Sequence, residues 1–286
     1  MPNIRLICDG GGAFGFGNLR RSSTLAWEFK RRGFDVFVEA ISEPAAKLLP
    51  DSPHDIDDAD LWLLDVPYDA DGWVKMARAR HLPVVALDYQ GSATPDLVIS
   101  VFTRGTAPAA AKQLVGLEYA IIRPDIAALS PAGSGHGVMV VIGGGDQDGL
   151  GERAAALMHE RGCDVRLIDG PLSGPRSKDF PRAIARINSP SDLASRMASC
   201  GWAITSGGGT MLEMMCLAKP VHVLPRTPHE EILARSILGS GGLLGIGFES
   251  LTVPSSKACE SVSVKAGSLV DGNGAKRIVE AVCQLL

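Results

Sequence analysis

Three glycine-rich turns, at residues 9–18 (DGGGAFGFGN), 143–149 (GGGDQDG) and 206–210 (SGGGT), each interrupt an apolar run where a helix should begin. Such turns bare main-chain N–H groups and aim helix N-termini at whatever lies above them, which is how proteins hold phosphate. The expected ligand is a phosphorylated small molecule, with a nucleotide sugar as the first choice. In SGGGTMLE, Ser206, Gly207, Gly208, Gly209 and Thr210 can donate amides to a diphosphate, and Glu213 in the first helical turn can accept hydrogen bonds from a ribose diol. Thr210 with Glu213 also fits a capping box, which would spend that carboxylate on the helix's own start. Capping alone, however, does not call for three consecutive glycines.

The other two turns carry competing readings as well. In GGGDQDG, Gly144 and Gly145 can approach a ligand or simply let the strand turn, and Asp146 is either a ligand contact or an N-cap worth about 1 kcal/mol. Gly10, Gly12 and Gly15 match G-x-G-x-x-G, and Glu39 ends the next strand, which is the pattern of a dinucleotide site. The glycines continue through Gly17, delaying the helix to about Asn18 and loosening the strand–turn–helix geometry that a dinucleotide needs.

The elements that must position these turns alternate between strand and helix. Apolar runs at 4–8, 35–40, 61–65, 84–88 and 97–101 predict strands, with helices over 19–32 and around 72–80 and a polar turn at 91–95. The segment 103–108 is loose, 117–125 follows it, and 130–137 is a small-residue linker. The theme then restarts, with strands at 138–142, 164–169, 202–205 and 221–225 and helices at 150–161, 191–199 and 211–218. Residues 239–247 read as a flap or a turn-rich connection, and 264–286 as a last strand and a helix closing from Gly274. The expected fold class is α/β, with two Rossmann-like domains, 1–134 and 135–286, facing across a cleft. Ligands in such sheets sit beyond the carboxyl ends of the strands, where the glycine turns lie.

Bulk properties narrow the partners. A chain of 286 residues that is 45% hydrophobic can bury roughly three quarters of its unfolded surface. A formal net charge of −4 and the lack of a long basic run argue against nucleic acid. The opening MPNIRLICDG enters a strand pattern directly, and no apolar run approaches a bilayer span, so a cytoplasmic protein with no membrane span is expected. Cys8, Cys163, Cys200, Cys216, Cys259 and Cys283 are scattered without a C-x-x-C pair or a metal-like grouping with histidine, which predicts buried thiols and no metal, and no cofactor is expected. His54, His81, His136 and His159 read as ordinary surface residues.

The upstream Asp9 with GFGNLRR, then LEYAIIR, VVIGGGD, the stretch 192–204 and the glutamate-bearing helix after the last glycine turn occur in an order that resembles a known family. That family is the UDP-sugar hydrolase of the pseudaminic-acid pathway with its spore-coat polysaccharide biosynthesis relatives, similar in turn to the GT-B glycosyltransferases of peptidoglycan synthesis. The resemblance spans nearly the whole chain. It implies a GT-B architecture, UDP held mainly by the C-terminal half, and metal-free cleavage at the anomeric carbon with inversion. It puts Ser206 to Thr210 on the diphosphate and Glu213 on the ribose, with the base near Gly144 to Asp146 and a strand around Ile122. The sugar falls by Gly15 to Asn18 and the turn after Leu64, with Arg21 retained beside the glycine loop.

Two departures bear on the chemistry. Where the hydrolases carry a histidine thought to activate water, this chain has Asn18, which cannot accept a proton at neutral pH. Loss of a general base costs a factor of about 10² to 10⁴. Replacement candidates are Asp9, Tyr68 (matching a family tyrosine if one residue is inserted at Pro67), Asp65 and Asp88. Where the hydrolases have Asn-Gln, this chain has Pro228 and His229, and His229 is a further candidate near the sugar. The expected activity is UDP-sugar hydrolysis, with water placed by Asn18 and activated by Asp9, Tyr68 or His229. The alternative is glycosyl transfer to another acceptor, followed by a non-catalytic nucleotide-sugar binder and, last, a dehydrogenase.

Overall fold

The computed structural model describes residues 2–11, 15–47, 59–102, 112–175 and 177–286, so Gly12, His54 and the segment 103–108 lie outside the described residues. The chain forms two units, Met1–Arg123 with Gly272–Leu286 (unit 1) and Pro124–Asp271 (unit 2). Unit 1 begins β1 (Asn3–Cys8), α1 (Gly17–Arg31), β2 (Asp35–Ala40), α2 (Glu43–Ala46), β3 (Leu61–Asp65), α3 (Asp71–Ala79), β4 (Val84–Leu87), β5 (Leu97–Ser100) and β6 (Lys112–Val115). Unit 2 runs α4 (Pro124–Ala127), β7 (His136–Val141), α5 (Leu150–Glu160), β8 (Val165–Asp169), β9 (Ala185–Asn188), α6 (Leu193–Ser199) and β10 (Cys200–Thr205). It continues with α7 (Gly209–Cys216), β11 (Val221–Val223), α8 (Pro228–Gly239), β12 (Gly245–Ile246) and α9 (Ser256–Leu269), after which α10 (Gly274–Cys283) returns to unit 1.

Unit 1 is a parallel sheet in the order β2-β1-β3-β4-β5-β6. Alternate residues of its strands serve two cores. Leu6, Leu61, Leu63 and Val85 pack with Leu25 and Phe29 of α1, while Ile7, Trp62, Leu64 and Val84 pack with Val74 and Ala77 of α3. Burial on both faces explains why these strands read as continuous apolar runs. Helix α1 stops where the chain reaches Gly33, whose φ of +86° favours glycine.

The C-terminal helix corrects the expected division at 134/135, since the units part between Arg123 and Pro124 and 272–286 belongs to unit 1. Ile278, Val279 and Val282 of α10 lie in the same core as Leu25 and Phe29, each burial being worth about 1.5–3 kcal/mol. Gly274 sits so close to Ala120 that a Cβ there would lie 2.1 Å from its carbonyl oxygen.

Unit 2 is a second parallel sheet, in the order β12-β11-β10-β7-β8-β9. Val140, Leu167 and Ile204 from its strands share a core with Ala154, Ala155 and Met158 of α5. Buried Lys219 donates to the carbonyls of Gly133 (2.6 Å) and Cys200 (2.9 Å), tying the small-residue segment to the start of β10. Arg186 of β9 is salt-bridged to Asp169 and Glu152 and donates to the Gly174 carbonyl, bracing the long loop after β8.

Several elements depart from expectation. Strands β6 and β9 carry no apolar run that would predict them, because KQLV and ARIN are polar edge strands. Ile122 is buried but lies between a 3-10 turn at Leu117–Tyr119 and α4 rather than in a strand. The last strand expected from residue 264 is instead part of α9, which begins where Ser255 accepts a hydrogen bond from the Ala258 amide. Residues 239–247 form the end of α8, a turn and β12.

Both sheets have a point where strand order reverses. In unit 1 it lies between β1 and β3, and in unit 2 between β7 and β10. Open α/β sheets bind ligands at the carboxyl ends of the strands flanking such a switch point.

Candidate functional site

In unit 2, both glycine turns fall at the switch point. The turn after β7 and the turn after β10 touch, since a Cβ on Gly143 would lie 3.2 Å from Ser206 Oγ. Gly143 has φ +55°, and Gly145 is pressed against Leu172, whose carbonyl carbon would be 2.4 Å from an added Cβ. Asp146 accepts from the amides of Leu150 (3.0 Å) and Gly151 (2.6 Å), so its carboxylate serves the start of α5, the capping use of the two expected.

Helix α7 begins with Gly208 at its N-cap position and no side-chain hydrogen bond capping it. The capping box weighed for Thr210 and Glu213 is not formed there, because the helix starts at Gly209 and Thr210 already lies inside it. The first internal bond is Met211 N–H to the Gly208 carbonyl at 3.0 Å. The amides before it point out of a helix end that carries about half a positive charge. Around the place where a Cβ on Gly209 would sit there is nothing within 4 Å, whereas one on Gly207 would lie 2.6 Å from the Glu230 carbonyl oxygen. Glycine is therefore required at 207 by packing, and at 209 it leaves open space. Ser206 is 3% exposed and Glu213, one turn into α7, is 8% exposed.

The segment after β11 closes this site. Thr227 Oγ1 accepts from the Glu230 amide (3.2 Å), and Glu230 Oε2 accepts from the Arg226 amide (2.7 Å), a reciprocal cap on α8. Arg226 Nη1 donates to the Gly145 carbonyl at 2.7 Å. His229 lies half-buried in the first turn of α8. The sequence signal for Arg226 is a cation three residues past the carboxyl end of β11.

In unit 1, the switch point gathers a polar group around buried Asp65 at the end of β3. Asp65 is 0% exposed and accepts from Asn18 Nδ2 (2.9 Å), Arg21 Nε (2.8 Å) and Ser22 Oγ (2.7 Å). Arg21 also pairs with Asp88, past the end of β4. With Nδ2 held by a carboxylate, Asn18 must turn its amide oxygen away from Asp65, so it presents an acceptor and no titrating base. Asp65 itself is committed to a guanidinium.

Asp9 stands at the end of β1 and accepts from Ser42 Oγ (2.6 Å), the Gly10 amide (2.9 Å) and Tyr68 Oη (2.9 Å). Burial pushes its carboxyl up, but the Ser42, Gly10 and Tyr68 hydrogen bonds outweigh this and hold it below the usual carboxylate value. Burial and the Asp9 carboxylate push the Tyr68 phenol up. Both shifts oppose general-base work near neutrality. Gly15, with φ +70°, and Gly17 each have open space where a Cβ would lie, and α1 starts at Gly17 without a side-chain cap. The dinucleotide pattern loses its acidic partner, since Glu39 is paired with Arg5 at 2.7 Å. Asp9, Asn18, Tyr68 and Arg21 thus converge in unit 1, and Gly144 to Asp146, Ser206 to Glu213 and His229 belong to unit 2. No metal-holding cluster of His, Cys, Asp or Glu occurs among the described residues, and no helix among them is long and apolar enough to cross a membrane.

No protein-family model matches the chain, and no curated protein matches it by sequence. Solved structures do. MurG of Acinetobacter baumannii aligns with a TM-score of 0.67 at 15% identity, covering 99% of this chain and 100% of that one. MnaA of S. aureus, solved with UDP, aligns with a TM-score of 0.65 at 12% identity, covering 99% and 96%. The glycosyltransferase of kitacinnamycin aligns with a TM-score of 0.61 at 15% identity, covering 97% and 99%. At such identities the likeness is one of fold. The chain has the α/β architecture of GT-B glycosyltransferases and UDP-N-acetylglucosamine 2-epimerases, built on two parallel six-stranded sheets.

Proposed function

We propose that this chain is a UDP-sugar-dependent glycosyltransferase that breaks the bond between the anomeric carbon and the diphosphate. The observation that carries the reading is the pair of glycine turns at the unit 2 switch point, with an uncapped helix start at Gly208 and open space over Gly209. In this reading the amides of Gly208, Gly209 and Thr210 receive the diphosphate, and Glu213 receives the ribose diol. Gly144 and Gly145 border the base. Fixed N–H dipoles at a helix start stabilise the charge that grows on the leaving diphosphate, and they do so without reorganising. Gly15, Gly17 and the outward amide oxygen of Asn18 serve the sugar or the acceptor, holding a hydroxyl rather than removing its proton.

Transfer is preferred to hydrolysis because Asn18 stands in place of the histidine thought to activate water in the hydrolases this chain resembles, and the proton of the acceptor hydroxyl leaves with the departing diphosphate. Asn18 does not titrate, Asp9 is held ionised by three donors, and Asp65 is held by Arg21. The fold likeness to glycosyltransferases points the same way.

The test is calorimetric titration of the protein with UDP, followed by NMR of a UDP-sugar panel with and without sugar or polysaccharide acceptors. The expected result is UDP binding, slow UDP release alone and faster release with an acceptor. Fast release without acceptor, with heavy oxygen from water appearing on the sugar, would instead establish hydrolysis. An epimeric sugar nucleotide without UDP release would establish epimerisation. No binding of UDP would overturn the nucleotide-sugar reading itself.

A further inference from the structure

We infer that Arg226 is the specificity residue by which the unit 2 site distinguishes a nucleoside diphosphate from a monophosphate, supplying the full positive charge that the helix start lacks. This deepens the proposed function and rests on the nucleotide lying at the α7 turn.

Arg226 is anchored at both ends beside both glycine turns. Its main-chain amide is held by Glu230 at 2.7 Å, and Glu230's own backbone abuts Gly207. Its guanidinium reaches the Gly145 carbonyl at 2.7 Å. The guanidinium is thereby fixed on the turn after β7, and the Arg226 backbone is tied through Glu230 to the turn after β10, with 31% of the side chain still accessible.

Most of the fork is unspent. A guanidinium has five N–H donors. Among the described residues, only the bond to Gly145 uses one, because the Asp148 carboxylate lies 3.9 Å away, beyond hydrogen-bond distance. The remaining planar donors match a phosphoryl group bidentately.

The local charge balance makes this cation necessary. Helix α7 offers only about half a positive charge. Glu230 and Asp148 both stand close to Arg226. Without the arginine, a second phosphoryl group here would stand beside two carboxylates. A monophosphate held by the α7 amides alone makes no such demand.

The test is calorimetry with UDP and UMP on the wild type, Arg226→Gln, Arg226→Lys and Asp148→Ala. The wild type should prefer UDP. Arg226→Gln should weaken UDP about tenfold while leaving UMP within about twofold, the size expected for one exposed charge-assisted contact. Arg226→Lys should keep part of the preference, since it retains charge but loses the fork. Asp148→Ala, at an exposed position, should tighten UDP and leave UMP unchanged. It reads out the same electrostatics if the Arg226 variants fold poorly. Equal weakening of UDP and UMP in Arg226→Gln would mean that the arginine merely props the Gly145 turn, and would overturn the inference. So would an unchanged preference in Arg226→Gln, or in Asp148→Ala. If the wild type binds neither nucleotide, the nucleotide-sugar reading falls and this one falls with it. Wild-type binding of UDP with no loss in Arg226→Gln overturns this inference alone.

Discussion

Replacing Asp65 by asparagine should cost unit 1 more stability than any single exposed contact supplies. The wild-type carboxylate is fully buried and receives hydrogen bonds from Asn18, Arg21 and Ser22. Every one of those groups is a donor, so an asparagine amide would set its own NH2 against at least one of them. Arg21 would also lose the charge of its main partner and keep only Asp88. Breaking a buried ion pair from one side costs about 3–5 kcal/mol, because the remaining ion stays desolvated. For a domain of 100 to 150 residues that is a fall in melting midpoint of roughly 10–20 °C. The assay is urea and thermal unfolding followed by circular dichroism, with Ser22→Ala as the reference. That change removes one donor and leaves the ion pair intact, so about 1 kcal/mol is expected. If Asp65→Asn costs no more than Ser22→Ala, Asp65 is not the hub that orients Asn18 and Arg21, and the account of the unit 1 site fails.

Glycines 207 and 209 should separate folding from binding. Gly207→Ala drives a methyl group into the Glu230 backbone and should destabilise by about 1–3 kcal/mol, measured by urea unfolding. Gly209→Ala meets no protein atom, so it should melt like the wild type yet bind UDP weakly by calorimetry; unimpaired binding would put the diphosphate elsewhere. His222 supplies a pH dependence. Burial depresses its pKa below the ordinary 6.5, against the opposing pull of its hydrogen bond to the Gly247 carbonyl, so the folded state favours the neutral ring. The unfolded chain then takes up the proton first. The stability tied to the neutral ring is complete above the unfolded pKa and declines as pH falls from 6.5 through the folded value. His222→Gln should flatten the stability curve between about pH 7 and about pH 5, and parallel curves for the two proteins would refute the assignment.

Much of this protein is legible residue by residue. Strands β1, β3, β4 and β5 announce themselves as short apolar runs because both faces of each are covered, and α1 ends where Gly33 supplies a positive φ. The turns at 143–145 and 206–209 are visible because only glycine tolerates the conformations and close approaches seen at Gly143, Gly145 and Gly207. These are local consequences of sterics and period, encoded within a few residues of where they act.

Other features depend on partners far away in the chain. Edge strands β6 and β9 carry no apolar signal, since their backbones are satisfied by a neighbour rather than by burial of their own side chains. Helix α10 looks like any amphipathic helix, and only its fit against α1 assigns it to unit 1. The sequence also left open whether Asp146 caps or binds, whether Thr210 caps α7, and which carboxylate near Asn18 could act as a base. The hydrogen-bond partners that bear on these points appear only in the fold: Asp146 with the Leu150 and Gly151 amides, Asp9 with Ser42 and Tyr68, and Asp65 with Arg21. The sequence by itself determined where the backbone turns and bares its amides, because that is set by glycine and by the local repeat of apolar side chains. Only the tertiary structure decided which charges are neutralised and which remain open, because electrostatic pairing acts through space, and residues dozens of positions apart become neighbours only when the sheets form.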